Sequence, residues 1–98
     1  MTDAIHPFHL HISDDDLADL HQRLDRTRWP EAETVDDESQ GAPLAKVQAL
    51  CDYWQHEYDW RRFENQLNLL GQYQTKIDGL NIHFLHIRSP HTDALPLI

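Results

Sequence analysis

Cysteine is almost missing from this sequence: Cys51 is the only one in 98 residues. No intramolecular disulfide can form, and a reducing compartment, the cytoplasm, is the simpler expectation. Glycine is nearly as scarce. With only Gly41, Gly71 and Gly79 there is no glycine-rich loop to cradle a phosphate. Basic charge is short as well, eight Lys and Arg against 17 Asp and Glu for a formal net charge of −9. No basic stripe is available for nucleic acid or an anionic membrane, whereas a neutral or apolar small molecule remains compatible with this balance. Long apolar runs are missing too. The opening "MTDAIHPFHLHIS" has neither a positive leader followed by an apolar stretch nor the roughly 20 apolar residues of a span. A soluble chain without a membrane anchor is expected.

What is present suits one small domain, because 40% apolar content can supply a modest core. Residues 13–28 read as a helix. Ser13 is placed as N-cap with Asp16 at N3, and Ile12 and Leu17 sit at the positions of a hydrophobic staple. Asp14, Asp15 and Asp16 complement the positive end of the helix dipole. Leu17, Leu20 and Leu24 share one face, Arg23, Arg26 and Arg28 crowd the far end, and Pro30 ends the helix after Trp29. The acidic, aperiodic "EAETVDDESQG" reads as a surface loop over 31–41.

Pro43 suits the first position of a second helix. Its apolar stripe runs Leu44, Val47, Leu50, Trp54, to about residue 57. Asp59 is positioned to cap a third helix with Trp60, Phe63, Leu67 and Leu70 on one side, ended by Gly71. The period then changes. "QYQTKI" and "LNIHFLHIR" are β-branched and aromatic stretches separated by Asp78-Gly79, the dipeptide of a tight hairpin turn. Ser89 to Asp93 read as a turn, and Leu95 to Ile98 as the opening of a third strand. The expected fold class is α+β: three helices, an antiparallel hairpin, then the start of one more strand.

The chemistry-bearing residues form no recognisable constellation. His6, His9 and His11, and His83 with His86, are the best metal candidates, but neither group has the spacing of a zinc site. Cys51 lies in the second helix's apolar stripe and reads as a small packed hydrophobe. Ser13 is a cap, and Ser39 and Ser89 are loop residues without a nucleophile-elbow context. Asp52 reads as a helix-surface acid. Tyr53, Trp54, Tyr58 and Trp60 are dense enough to line a pocket, although packing between helices accounts for them. No catalytic, cofactor-binding or metal-ligating residue is assigned, and no cofactor is expected.

The order of three blocks is more specific than any one of them. "IHPFHLHISDDDLADLHQRLDRTRWP" resembles the opening of the N-terminal region of microsomal-type epoxide hydrolases. "LCDYWQHEYDWRRFENQLN" is similar to that family's central signature, with "YW", "YDWR", the acidic residue and "LN" in register. "TKIDGLNIHFLHIRSPHTDALPLI" resembles the stretch leading into its α/β-hydrolase core.

The resemblance implies a helical N-terminal region over 1–72 and the first strands of an α/β-hydrolase core over 73–98. It implies a downstream catalytic domain as partner and a small apolar epoxide as substrate, with self-association left open. In that family an aspartate attacks an epoxide carbon to give an ester, a His activates the water that hydrolyses it, and two tyrosines hydrogen-bond the opening oxygen. All of these lie beyond residue 98, so neither Asp52 nor Asp59, nor Tyr53, Tyr58 or Tyr73, inherits a role. The segment alone is expected to be inactive. A free-standing, non-catalytic binding or dimerisation module derived from the same family is the alternative.

Overall fold

The computed structural model describes residues 4–98. It contains three helices and one three-stranded antiparallel sheet. Strand β1 is His6–Pro7, helix α1 Asp14–Asp25, α2 Leu44–His56, α3 Trp60–Leu69, β2 Gln72–Ile77 and β3 Leu80–Leu85. Two compact units result. One holds residues 4–11 with Trp60–Ile98, and the other is Ile12–Asp59.

In the Ile12–Asp59 unit, α1 starts where its capping residue dictates: Ser13 is extended and its hydroxyl accepts the Asp16 N–H at 3.1 Å. Its end falls three residues before the expected one. The Thr27 hydroxyl donates to the Leu24 carbonyl at 2.8 Å and to that of Arg23 at 3.1 Å, satisfying the helix end ahead of Pro30. Of the three arginines only Arg23 lies in the last turn, with Arg26 as C-cap. Pro43 is likewise one place out from expectation. It is the extended N-cap of α2, not its first helical residue, and its carbonyl receives the Lys46 and Val47 N–H groups.

The loop over 31–41 is closed on itself. The Thr34 N–H donates to Gln40 Oε1 at 3.0 Å, and Gln40 Nε2 returns a bond to the Thr34 hydroxyl at 3.0 Å. The Ser39 N–H donates to the Asp37 carboxylate in an Asx turn. Lys46 reaches back from α2 to pair with Glu38.

In the other unit, α3 gives way to β2 through Gly71, whose φ of 78° is the left-handed conformation that ends helices. β2 and β3 form the expected hairpin around Asp78 (φ 51°) and Gly79 (φ 81°), in register from Ile77↔Leu80 to Gln72↔Leu85. The third strand differs from expectation. It is β1, paired through His6↔Gln74 and Pro7↔Tyr73 and extended by the Phe8 N–H donating to the Gln72 carbonyl at 2.8 Å. Leu95 to Ile98 are exposed and belong to no strand among the described residues.

No hydrophobic residue among the described ones is fully buried. The two buried residues are polar: Glu64 at 3% and Gln72 at 4% exposure. Leu50, Trp54, Phe63 and Leu70, expected in buried stripes, are all exposed, as are Tyr53 and Tyr58, while Trp60 and Cys51 are half-buried. The closed side of α3 is centred on Glu64. That is one residue, about 100° of helix rotation, round from Phe63.

Candidate functional site

The residues that converge are not those with obvious reactivity. On α3, Glu64 follows Trp60 by four positions and Arg61 by three, so all three side chains share one helix face. Trp60 Nε1 donates to one Glu64 carboxylate oxygen at 3.0 Å, and an Arg61 guanidinium N–H donates to the other at 2.8 Å. The ion pair is inward at the acid and only 30% exposed at the Arg61 side chain. A buried carboxylate needs such partners, because an unpaired one would be strongly disfavoured by desolvation.

One turn further on, Asn68 starts a second polar chain. Its Oδ1 accepts the Leu10 N–H at 2.8 Å, and its Nδ2 donates to the Leu10 carbonyl at 2.8 Å. The same Oδ1 accepts from Gln72 Nε2 at 2.8 Å. Gln72 Oε1 lies 2.9 Å from His83 Nε2. A carboxamide oxygen only accepts, so the proton of this bond sits on His83 Nε2. The Phe8 ring meets the His83 ring edge-on, with centroids 4.9 Å apart. The chain Leu10, Asn68, Gln72, His83 thus ties together the start of the chain, the end of α3 and both long strands. No described side-chain polar atom is left buried without a partner.

A third arrangement stands at the start of α2. Pro43 has no side-chain group to cap the helix, and the Glu33 carboxylate supplies the acceptor instead, taking the Leu44 N–H at 2.9 Å. This bond holds the Glu33 carboxyl below its usual range, and the Ser39 hydrogen bonds do the same for Asp37.

These arrangements hold backbone and helix ends in place. They contain no nucleophile beside a base and no open ligand set. The histidines expected as metal candidates are spread over the unit: His6 in β1, His9 and His11 exposed, His83 bonded to Gln72, and His86 near the Tyr73 ring with centroids 6.3 Å apart. Among the described residues no group of three or more His, Cys, Asp or Glu is placed to hold a metal ion. The Asp52 carboxylate is 3.1 Å from His56 Nδ1 on the surface of α2. Ser13 caps α1, and the Ser89 hydroxyl accepts the His91 N–H. Asp59 directly precedes α3. No helix among the described residues is long and apolar enough to cross a membrane.

Glu33, Glu64, Asn68 and Gln72 carry no nucleophilic or metal signature, and a search for reactive groups passes over them. The readable signal was the spacing of Trp60, Glu64 and Asn68, which puts three polar groups on one side of a helix otherwise judged by its apolar stripe.

The sequence profile of the family described as "Epoxide hydrolase N terminus" matches residues 5–98. A protein of Stigmatella aurantiaca (strain DW4/3-1) named as an epoxide hydrolase is 55% identical over 97% of this chain, which spans 22% of that protein. Rabbit (Oryctolagus cuniculus) epoxide hydrolase 1 is 36% identical over 90% of the chain and 19% of its own length. Among solved structures, an enantioselective epoxide hydrolase mutant from Aspergillus niger superposes with a TM-score of 0.83 at 31% identity, over 95% of this chain and 25% of that one. The juvenile hormone epoxide hydrolase of Bombyx mori gives 0.84 at 25% identity, over 94% and 22%.

Proposed function

We propose, since this chain belongs to the epoxide hydrolase N-terminal family, that it is the structural front segment of an enzyme that opens epoxides to vicinal diols. In this reading residues 73–98 begin the α/β-hydrolase core, and the helices before them brace the catalytic domain that follows. The observation that carries the reading is the missing core. No described hydrophobic residue is fully buried, while the chain spans only about a fifth of the relatives it matches. An independent domain of this size would bury much of its apolar surface internally, and a segment built to lie against a larger body would not.

The chemistry proposed for the whole protein is two-step. A carboxylate oxygen of a downstream aspartate attacks an epoxide carbon and the carbon–oxygen bond opens. Tyrosine hydroxyls hydrogen-bond the departing oxygen and supply its proton. A water deprotonated by a His then hydrolyses the ester, which frees the diol and restores the aspartate. The substrate is a small apolar epoxide and the site is cytoplasmic. None of residues 4–98 touches the reacting atoms in this scheme; Glu64, Asn68 and Gln72 act by holding the first strands in place.

The test is hydrolysis of styrene oxide. The whole polypeptide that contains residues 1–98 is expected to turn it over, and the 98-residue segment is not. Turnover by the segment, lost on Asp59→Asn, would overturn the assignment of chemistry to the downstream part.

A further inference from the structure

The tip of the β2–β3 hairpin places an electrophile beside a nucleophile within one dipeptide. Asp78 is the one aspartate of this chain followed by glycine, and no asparagine is. Both residues of the turn are exposed, and Ile77 and Leu80 on either side are exposed at 55% and 67%. The strand ladder closes through the Ile77↔Leu80 pair, so the Gly79 N–H stands outside it at the apex. Nothing lies within 4 Å of the place a Gly79 Cβ would take. The Gly79 main-chain nitrogen is therefore open to attack the Asp78 carboxyl carbon. At every other aspartate the next residue carries a side chain beside that nitrogen.

The backbone has reason to leave its resting conformation there. Asp78 is the one described residue other than glycine with a positive φ, 51°, a region disfavoured for an L-residue by the contact of Cβ with the following carbonyl. Rotation about Asp78 toward the attacking geometry disturbs the last rung of the hairpin and nothing deeper in the sheet. Segments with exposed hydrogen bonds and few buried contacts open locally at the least cost.

We propose that Asp78-Gly79 is a site of spontaneous backbone isomerisation, aspartate converting to isoaspartate through a succinimide. The Gly79 nitrogen bonds the carbon of the protonated Asp78 carboxyl, and the amide hydrogen and the carboxyl hydroxyl leave as water. Water then opens the ring at either carbonyl. Breaking the bond from nitrogen to the side-chain carbonyl restores aspartate. Breaking the bond to the main-chain carbonyl leaves Gly79 joined through the Asp78 side chain, with the carboxylate now on the α-carbon. The main chain gains a methylene. A tight turn with positive φ at both central residues has no place for it, so the Ile77↔Leu80 rung is lost with the conversion.

Ageing the whole polypeptide that contains residues 1–98, folded, at neutral pH and body temperature, tests it. Samples are denatured and digested with an endoprotease that cuts before aspartate but not before isoaspartate. The expected result is a progressive loss of cleavage at the Ile77–Asp78 bond with the mass of the joined peptide unaltered by any modification. Asp93, equally exposed but followed by Ala94, is expected to keep its cleavage. Equal loss at Asp93 would overturn the inference, because glycine would not be the cause. Conversion of Asp78 in urea but not in the folded protein would also overturn it, because the turn would then protect the bond. Asp78→Asn keeps the turn, since Asn-Gly is the favoured dipeptide, and ammonia becomes the leaving group in place of water. That variant is expected to convert faster than the parent, read as the appearance of an acid in place of the amide, and an amide that persists through the same ageing would defeat the proposal. Asp78→Glu would have to close a larger ring and is expected to show no conversion.

Discussion

The Asn68 side chain bonds the backbone of Leu10 twice, accepting its N–H and donating to its carbonyl, both at 2.8 Å. A carboxamide thereby replaces a strand neighbour for a segment that leaves the sheet after Pro7. Asn68→Ala removes both partners and the acceptor for Gln72 as well. The expected loss is about 2 kcal/mol, the scale for part-buried backbone groups left unpaired. Urea denaturation checks the magnitude, and faster hydrogen exchange at the Leu10 amide checks the location.

Glu64→Ala is expected to cost more than Glu64→Gln. Alanine leaves the Trp60 indole N–H without this acceptor and takes away the carboxylate oxygen that the Arg61 guanidinium bonds, and breaking a buried ion pair costs about 3 kcal/mol or more. Arg61 is partly exposed and can recover water, so the lower end of that scale applies. Glutamine keeps one carboxamide oxygen and is expected to lose about half as much, on the scale of a single hydrogen bond to a charged group. Denaturation midpoints of the two variants, compared at equal slope, decide the order.

Local chemistry made much of this fold readable. Ser13 starts α1 and Asp78-Gly79 turns the hairpin because each acts on atoms two or three residues away. The contacts between distant residues were not readable in the same way. Glu33 caps a helix 11 residues on, and Asn68 meets Leu10 across 58; neither partner carries a local pattern that names the other. The apolar stripes misled for a physical reason. Periodicity shows that a face will be covered but not by what, and Phe63, Leu70 and Leu50 remain exposed in this chain. The third strand was expected from Leu95 to Ile98, where an apolar run looked like a beginning strand. The sheet takes it instead from His6–Pro7, which is too short and too histidine- and proline-rich to read as one. No catalytic residue was expected from the sequence, because its family blocks resemble the lead-in to a site.

Two glycines with similar backbone angles are expected to respond differently to alanine. Gly79 has φ 81° and open space where a Cβ would go, so Gly79→Ala costs only the left-handed conformation, about 1 kcal/mol. Gly71 has φ 78°, and its Cβ would sit 3.0 Å from the His86 carbonyl oxygen. That oxygen belongs to a residue whose N–H bonds the Gly71 carbonyl at 3.0 Å, so it cannot yield without disturbing the sheet end. Gly71→Ala is therefore expected to lose at least about twice as much as Gly79→Ala, strain adding to conformation. Thermal melts of the two variants against the parent give the comparison.

The Glu33 cap makes the start of α2 sensitive to acid. The Leu44 N–H holds the carboxylate below its ordinary value of 4.5 in the folded chain. A depressed folded value means that the unfolded chain binds the proton more readily. The stabilisation is therefore complete above pH 4.5, and it is lost as the pH falls through the lower folded value. Glu33→Gln keeps a carboxamide oxygen able to accept the Leu44 N–H but has no proton to take up in this range. Titrating both proteins from pH 7 to pH 3 and following amide exchange at Leu44 is expected to show the parent losing protection at the acid end, with the variant lower at neutral pH and flatter throughout. Parallel curves for the two proteins would mean that the acid response of α2 comes from other carboxylates of the 31–41 loop, Asp37 first among them.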